Sequence, residues 1–381
     1  MKKFPDNKPT QTKRPLDFAI IALISMFSAI GMSSCNNEDF STNPKHILQF
    51  STDTLTFDTV FTTIGSSTAK ILVYNRNNQA LKISSIAIAG GKSSYFHTNI
   101  NGEQNENNQF HDIEIRAKDS MFIFVQVNID PRNSNSPVFI KDSLVFITNG
   151  VKQDVKLHAY GQDMEVLRNR HILNDTALND TKPYLVYGYL AVDTAKTLTL
   201  KPGTRLYFHN NANLIVYGNL RAEGTFEKPI VMRGDRLDKI KFETPFPYNN
   251  VAGQWGGIYL LWNGGKHVLQ HVNMNSGYVG IYLKNDNINA LPSLEISDCR
   301  IHNFLLYGIV VQNGNLQVVN SEISNTSSYS VYLNGGKHEF THCTIANYFN
   351  NSNVEPVSRD KKPAVMVMDL NRIAPMETVF K

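Results

Sequence analysis

The sequence predicts an all-β chain in two parts, an antiparallel sandwich followed by a stack of repeating parallel coils. Three observations predict it. Short runs of β-branched and aromatic residues, separated by Asn- and Gly-rich turns, fill residues 47–163. No amphipathic helical stretch interrupts them. Beyond them, segments opening at Leu294, Leu316 and His338 align at a spacing of 22 residues.

Composition agrees with a folded, mainly neutral chain. The 381 residues are 41% hydrophobic and 18% charged, enough for a sizeable core and for two or three domains. Twenty-three Gly and fifteen Pro exclude collagen-like and wholly disordered chains. The net charge of +4 is concentrated at the start. Residues 1–34 hold Lys2, Lys3, Lys8, Lys13 and Arg14 against Asp6 and Asp17, which leaves 32 basic and 31 acidic side chains elsewhere. No basic footprint for nucleic acid remains. Three cysteines rule out a disulfide-stapled scaffold.

The first element is an address. Residues 18–34 are uncharged and follow the basic segment, the pattern of a secretory signal. A membrane-spanning anchor is the alternative and needs about 20 apolar residues. The run ends in Met32-Ser33-Ser34-Cys35, which resembles the lipobox of bacterial lipoproteins, with Met32 and Ser34 in place of the commonest Leu and Gly. The resemblance implies a signal peptide over residues 1–34 and an acylated Cys35 held in outer-membrane lipid. Asn36-Asn37-Glu38-Asp39 resembles the signal that exports Bacteroidetes lipoproteins to the cell surface, which implies an outward-facing protein. A solvated acidic linker is the plainer reading of the same residues. Residues 35–46 are expected to form a flexible tether.

The next elements are strands. Examples are Thr54-Leu55-Thr56-Phe57, Ala69-Lys70-Ile71-Leu72-Val73-Tyr74 and Met121-Phe122-Ile123-Phe124-Val125. About seven such runs argue for an antiparallel sandwich over residues 47–163. The order of the runs resembles immunoglobulin-like domains of the ASH/HYDIN type, which act as spacers or docking modules. His97, His111 and His158 are scattered and read as solvated.

The repeat occupies residues 164–381. Ile296, Val318 and Phe340 form one column, Ile301, Ile323 and Ile345 a second, and Asn303, Asn325 and Asn347 a third. A strand recurs from Gly257, Gly280, Gly308 and Ser330. A unit of this length is too short for a helix pair and fits one coil of a parallel β-helix. The aliphatic columns should face the core, and the Asn column should form an amide ladder at a turn. The leucine-rich repeat is the rival, but its Leu and Asn spacing is absent. Thr197-Leu-Thr-Leu-Lys-Pro-Gly-Thr-Arg-Leu-Tyr-Phe and Gly253-Gln-Trp-Gly-Gly-Ile resemble right-handed parallel β-helix domains of the pectate-lyase-like fold. Trp255 is expected to be structural. After about Asp369 the pattern fades, so a partner over the open end, or a shortened chain, is expected.

Chemistry-bearing residues follow from this register. Cys299 and Cys343 fall two coils apart, about 10 Å, and should be free buried thiols. The repeated Asn-Gly-Gly-Lys-His-x₃-His segments put His267 and His271 about 13 Å apart on a strand, too far to share a metal. His271 is expected beside Asp298. Glu295 and Glu339 share an outward column with Gln317 between them, and Arg300 should pair with Glu322. No paired carboxylates fall on adjacent coils, and no pectate-lyase-like catalytic residue can be assigned, so no catalytic, metal or cofactor site is expected. Asp-Ser/Thr-apolar tripeptides such as Asp119-Ser120-Met121 resemble the O-glycan acceptor motif of exported Bacteroidetes proteins.

The functional lead is a column of exposed aromatics. Tyr259, Tyr282 and Tyr332 point outward on one face, broken by Val310, with Lys284, Gln312 and Asn334 two residues on. Flat rings beside amides suit stacking on sugars or protein loops. The plainer reading is that the rings support one another. The sequence therefore predicts a surface lipoprotein that binds glycan or protein without catalysis. A polysaccharide lyase or glycoside hydrolase and a structural envelope component are the alternatives.

Overall fold

The computed structural model describes residues 39–240, 245–261, 265–287, 289–348, 363–370 and 376–381. The signal segment and Cys35 lie outside the described residues. The chain is all-β: its only helical elements among the described residues are the short turns Gly91–Ser93 and Tyr248–Asn250. No described helix is long and apolar enough to cross a membrane.

The first region is two five-stranded sheets over one core. One sheet runs in the order Gln49–Phe50, Ala69–Tyr74, Ser120–Val127, Phe96–Ile100, Glu103–Gln104. The other runs Thr54–Phe61, Val151–Gln162, Val138–Thr148, Leu81–Ile88, Gln109–Ile115. Period-2 alternation turns Ile71, Val73, Ile123 and Val125 inward from one sheet and Leu144 and Phe146 from the other, where Ile83 and Ile86 both face in because a register shift lies between them. Each such side chain contributes about 1.5–3 kcal/mol by leaving water. One pairing corrects the antiparallel expectation: Val151–Gln162 runs parallel to Thr54–Phe61. These are nearly the first and last strands of the region, so the long connection that parallel pairing requires is the region itself.

Residues 40–46 also depart from the expected free tether. Ser41 N–H donates to the Ala80 carbonyl at 2.9 Å, and Asn149 Nδ2 donates to the carbonyls of Asn43 and His46. This part of the chain is docked on the first region.

The second region is built from parallel strands in three rows. One row is an eight-stranded sheet that includes Ser293–Ser297, Asn315–Val319 and Gly336–Thr341. The other two are wings of a fourteen-stranded sheet that meet on the long strand Tyr184–Val192. Arg300–Phe304 and Glu322–Thr326 belong to one wing, Tyr307–Gln312 and Val331–Asn334 to the other. The chain visits the three rows in turn, so a residue meets its successor 22 positions later: Leu294 pairs with Leu316, Ile301 with Ile323, Ile309 with Val331.

The aliphatic columns face a single core. Ile296, Val318 and Phe340 are each at most 1% exposed. Trp255 is fully buried, stacked on Phe208 at 4.3 Å and edge-on to Phe304 at 6.4 Å. Its Nε1–H donates to the Asn275 carbonyl at 2.8 Å, so the one polar atom of the ring is satisfied.

The corners explain the polar columns. His271, Asp298, Asn320 and His342 all have φ between 47° and 54°, and Asn303 and Asn325 have 59° and 56°. Asn, Asp and His tolerate this left-handed region better than other side-chain-bearing residues. Asn325 Nδ2 donates to Asn303 Oδ1, so the amide ladder forms between those two coils. It ends there: the Asn347 amide donates to the Ser328 carbonyl and accepts from Thr326 N–H.

Candidate functional site

The candidate site is the outer surface of the wing that carries Gly257–Leu260, Val279–Lys284, Tyr307–Gln312 and Val331–Asn334. Alternation buries Ile258, Ile281, Ile309 and Val331 and turns the next residue out. Tyr259 pairs with Tyr282, Tyr282 with Val310, and Val310 with Tyr332, so the sequence column is one physical column. The backbones approach closely where the strands begin. A side-chain carbon at Gly280 would lie 2.3 Å from the Gly308 carbonyl oxygen, so only glycine fits there.

The rings touch one another. Tyr259 and Tyr282 have centroids 5.8 Å apart. Tyr307 and Tyr329, which the sequence column missed, stack at 6.2 Å and lie 6.4 and 6.0 Å from Tyr332. Their signal was present, since each directly precedes the small residue that opens a recurring strand, Gly308 or Ser330. The expectation of exposed rings needs correction: Tyr259, Tyr282 and Tyr332 are half-buried, because each ring covers part of its neighbour. Val310 between them is only 3% exposed.

Polar groups border the rings. Tyr282 Oη donates to Gln312 Oε1 at 3.0 Å. Lys284 extends beside them, exposed, with Nζ 3.4 Å from Asp286. Asn334 is 94% buried rather than presented on the face, and its Oδ1 accepts from Leu370 N–H. Burial raises the Tyr259 and Tyr332 phenols above their ordinary value, with neighbouring tyrosines adding to the effect. The shift favours the neutral form of Tyr259 and Tyr332, which keeps their hydroxyls as donors. Such a surface can stack on a flat apolar face and exchange hydrogen bonds at its edge.

The other expected residues fall as follows. Cys299 and Cys343 are both free. Cys299 is buried, which pushes its thiol up to about 12. Cys343 is only half-buried, against expectation, because it lies on the last described coil of its wing. His271 and Asp298 are neighbours in register, but the Asp298 carboxylate accepts from Asn320 Nδ2 at 2.6 Å. His267 and His338 turn into the core, 1% and 2% exposed.

Glu295, Gln317 and Glu339 line a groove of about 390 Å³ with Lys337 and Glu377. Lys381 beside Glu339, at 2.7 Å, holds that carboxyl below its usual range, the opposite of what a general acid needs. Arg300 and Glu322 form the expected pair at 2.9 Å. His209 Nδ1 lies 2.7 Å from Asp235 in a cleft of about 310 Å³ against Phe61 and Ser67 of the first region. No group of three or more His, Cys, Asp or Glu that could hold a metal occurs among the described residues.

No family model matches the chain, and no curated relative matches it. Partial structural likenesses exist. A protein of unknown function from Porphyromonas gingivalis W83 matches 34% of this chain and 60% of its own at 13% identity and a TM-score of 0.23. The seventh PapD-like domain of human CEP192, an ASH/PapD-like domain, matches 35% of this chain at 10% identity and a TM-score of 0.22. It is covered over 96% of its own length. A family 123 glycoside hydrolase from Clostridium perfringens, described as hydrolysing glycolipid glycans, matches 30% of this chain and 25% of its own at 11% identity and a TM-score of 0.20. The chain thus spans less than two thirds of the first of these proteins and a quarter of the third.

Proposed function

We propose that the protein is a lipid-anchored surface protein of the outer membrane that binds a glycan or protein ligand without catalysis. In this reading Cys35 holds the lipid. The first region is an immunoglobulin-like sandwich of the ASH/HYDIN type, and the second is a right-handed parallel β-helix that presents the ligand face. The observation that carries the reading is the five-tyrosine surface, Tyr259, Tyr282, Tyr307, Tyr329 and Tyr332, bordered by Gln312 and Lys284. The strands beneath hold Tyr259, Tyr282, Tyr307 and Tyr332 in place, so little ordering entropy opposes binding.

A carbohydrate-active enzyme is the second reading, favoured only by the Glu295/Gln317/Glu339 groove. One experiment separates the two. Residues 36–381 are run against acidic and neutral polysaccharides, scored for retardation in affinity gels and for chain cleavage. The binding reading expects retardation without cleavage, weakened in Tyr259→Ala and Tyr282→Ala. Cleavage lost in Glu295→Gln and Glu339→Gln would establish the enzyme instead. The absence of both effects would leave a protein ligand or a structural role.

A further inference from the structure

The outer face of the first region's sheet that holds Ser120–Val127 and Phe96–Ile100 contains a hollow of about 350 Å³. It is lined by Phe124 and Gln126 on Ser120–Val127, His97 and Asn99 on Phe96–Ile100, Gln104 on the edge strand Glu103–Gln104, and Thr68. The register builds it: Phe124 lies opposite Asn99, and Gln126 opposite His97, on adjacent antiparallel strands. These residues occupy outward positions that alternation frees from the core, yet one is a large ring 38% exposed.

We propose that this hollow is a second binding site and takes an uncharged pyranose ring. The chemistry of the lining carries the assignment. Phe124 offers an apolar floor on which the C–H face of a sugar stacks. Three amides and an imidazole surround it, and each has donor and acceptor capacity for vicinal hydroxyls. Two of the amides are already oriented: Gln126 Nε2 donates to Thr68 Oγ1 at 2.7 Å, and Asn99 Oδ1 accepts from Gly102 N–H at 3.0 Å. One such bond fixes an amide plane and leaves it groups to spare. None of the seven lining residues, the buried Thr98 included, carries a fixed charge, so an anionic sugar gains no partner there. The volume lies at the small end of the range for ligand pockets and suits one or two rings.

The test uses the full chain in a zwitterionic, sugar-free detergent. Glucose-, galactose- and mannose-built mono- and disaccharides are titrated and followed by saturation-transfer NMR and calorimetry. At least one neutral sugar is expected to bind, with transfer strongest at the protons of one ring face. Phe124→Ala is expected to weaken that binding about tenfold. Phe122→Ala, which removes a 53% exposed ring just outside the hollow, should leave it unchanged. Tyr282→Ala should also leave it unchanged, so loss of the tyrosine-face site is read separately. All these side chains except Tyr282 are exposed, so folding is retained. The proposal is overturned if no neutral sugar binds, if Phe124→Ala binds as tightly as the parent, or if an extended peptide occupies the hollow in place of every sugar.

Discussion

In the first region the core is closed between two sheets, and apart from the local hairpins Val138–Thr148/Val151–Gln162 and Phe96–Ile100/Glu103–Gln104 the strands find their register against partners distant in sequence. In the second, many core residues sit on an equivalent residue one coil away, as Leu294 sits on Leu316 and Ile301 on Ile323. The first arrangement makes every core residue answer to the whole layer. The second makes it answer to its own coil and the two beside it. The same aliphatic side chains therefore produce a cooperative unit in one case and a nearly one-dimensional one in the other.

The largest effect that would sharpen this contrast is Trp255→Ala. Loss of a fully buried ring stacked on Phe208 is expected to cost about 3–5 kcal/mol. Hydrogen exchange should rise in Arg205–Phe208, Val272–Asn275 and Arg300–Phe304 and stay unchanged in Ala69–Tyr74. A uniform rise across both regions would break the comparison.

Acid is next. His267, His302 and His338 are buried in the second region, and burial pushes each down to about 4. In the first region no described histidine is buried. An imidazole whose folded value lies below its unfolded value of about 6.5 contributes nothing unfavourable above that pH. As pH falls from about 6.5 to 4 the unfolded chain takes up protons that the folded chain refuses, and stability drops by about 3 kcal/mol per group. Chemical denaturation between pH 7 and 4 should show the second region melting first, with the acid limb shallower in His338→Leu. A first region that melts at higher pH than the second would contradict this.

Much of this was legible in the sequence. The 22-residue columns gave strand, face and neighbour for Ile296 and Ile301 because parallel stacking repeats them without change. The inward turn of His267 was legible only through the repeat, since its counterpart His338 stands in the column of Leu294 and Leu316. In Lys266-His267-Val268-Leu269 both parities place an apolar residue inside, and a slip of one residue exchanges the faces. Tyr307 and Tyr329 were overlooked for a related reason: they stand at a corner, where strand alternation no longer dictates direction. The parallel pairing of Thr54–Phe61 lay beyond reach because nothing local encodes the direction of a partner about a hundred residues away.

Two smaller effects probe the corners and the surface. Asn325→Ala removes the amide that bonds Asn303 and puts a less tolerant residue at a φ of 56°. A loss of about 1 kcal/mol in equilibrium unfolding is expected. The Arg300–Glu322 pair joins the same two coils but is partly exposed, with side chains 54% and 31% accessible. A double-mutant cycle should return less than about 1 kcal/mol and shrink in high salt. A larger value would mean that surface pairs, and not the core columns, hold neighbouring coils together.

Only Asp163 and Met164 separate Val151–Gln162, the last strand of the first region, from Glu165–Ile172, the outermost strand of the second. That outermost strand lies in parallel along Tyr184–Val192, which itself belongs to both wings. A tug passed along the chain from the first region, directed along this strand, would load its hydrogen bonds together in shear. A tug at the far end of the stack would peel one short strand at a time. Mechanical strength is thus placed at the end of the stack that faces the proposed anchor, and coils at the other end would yield first under force.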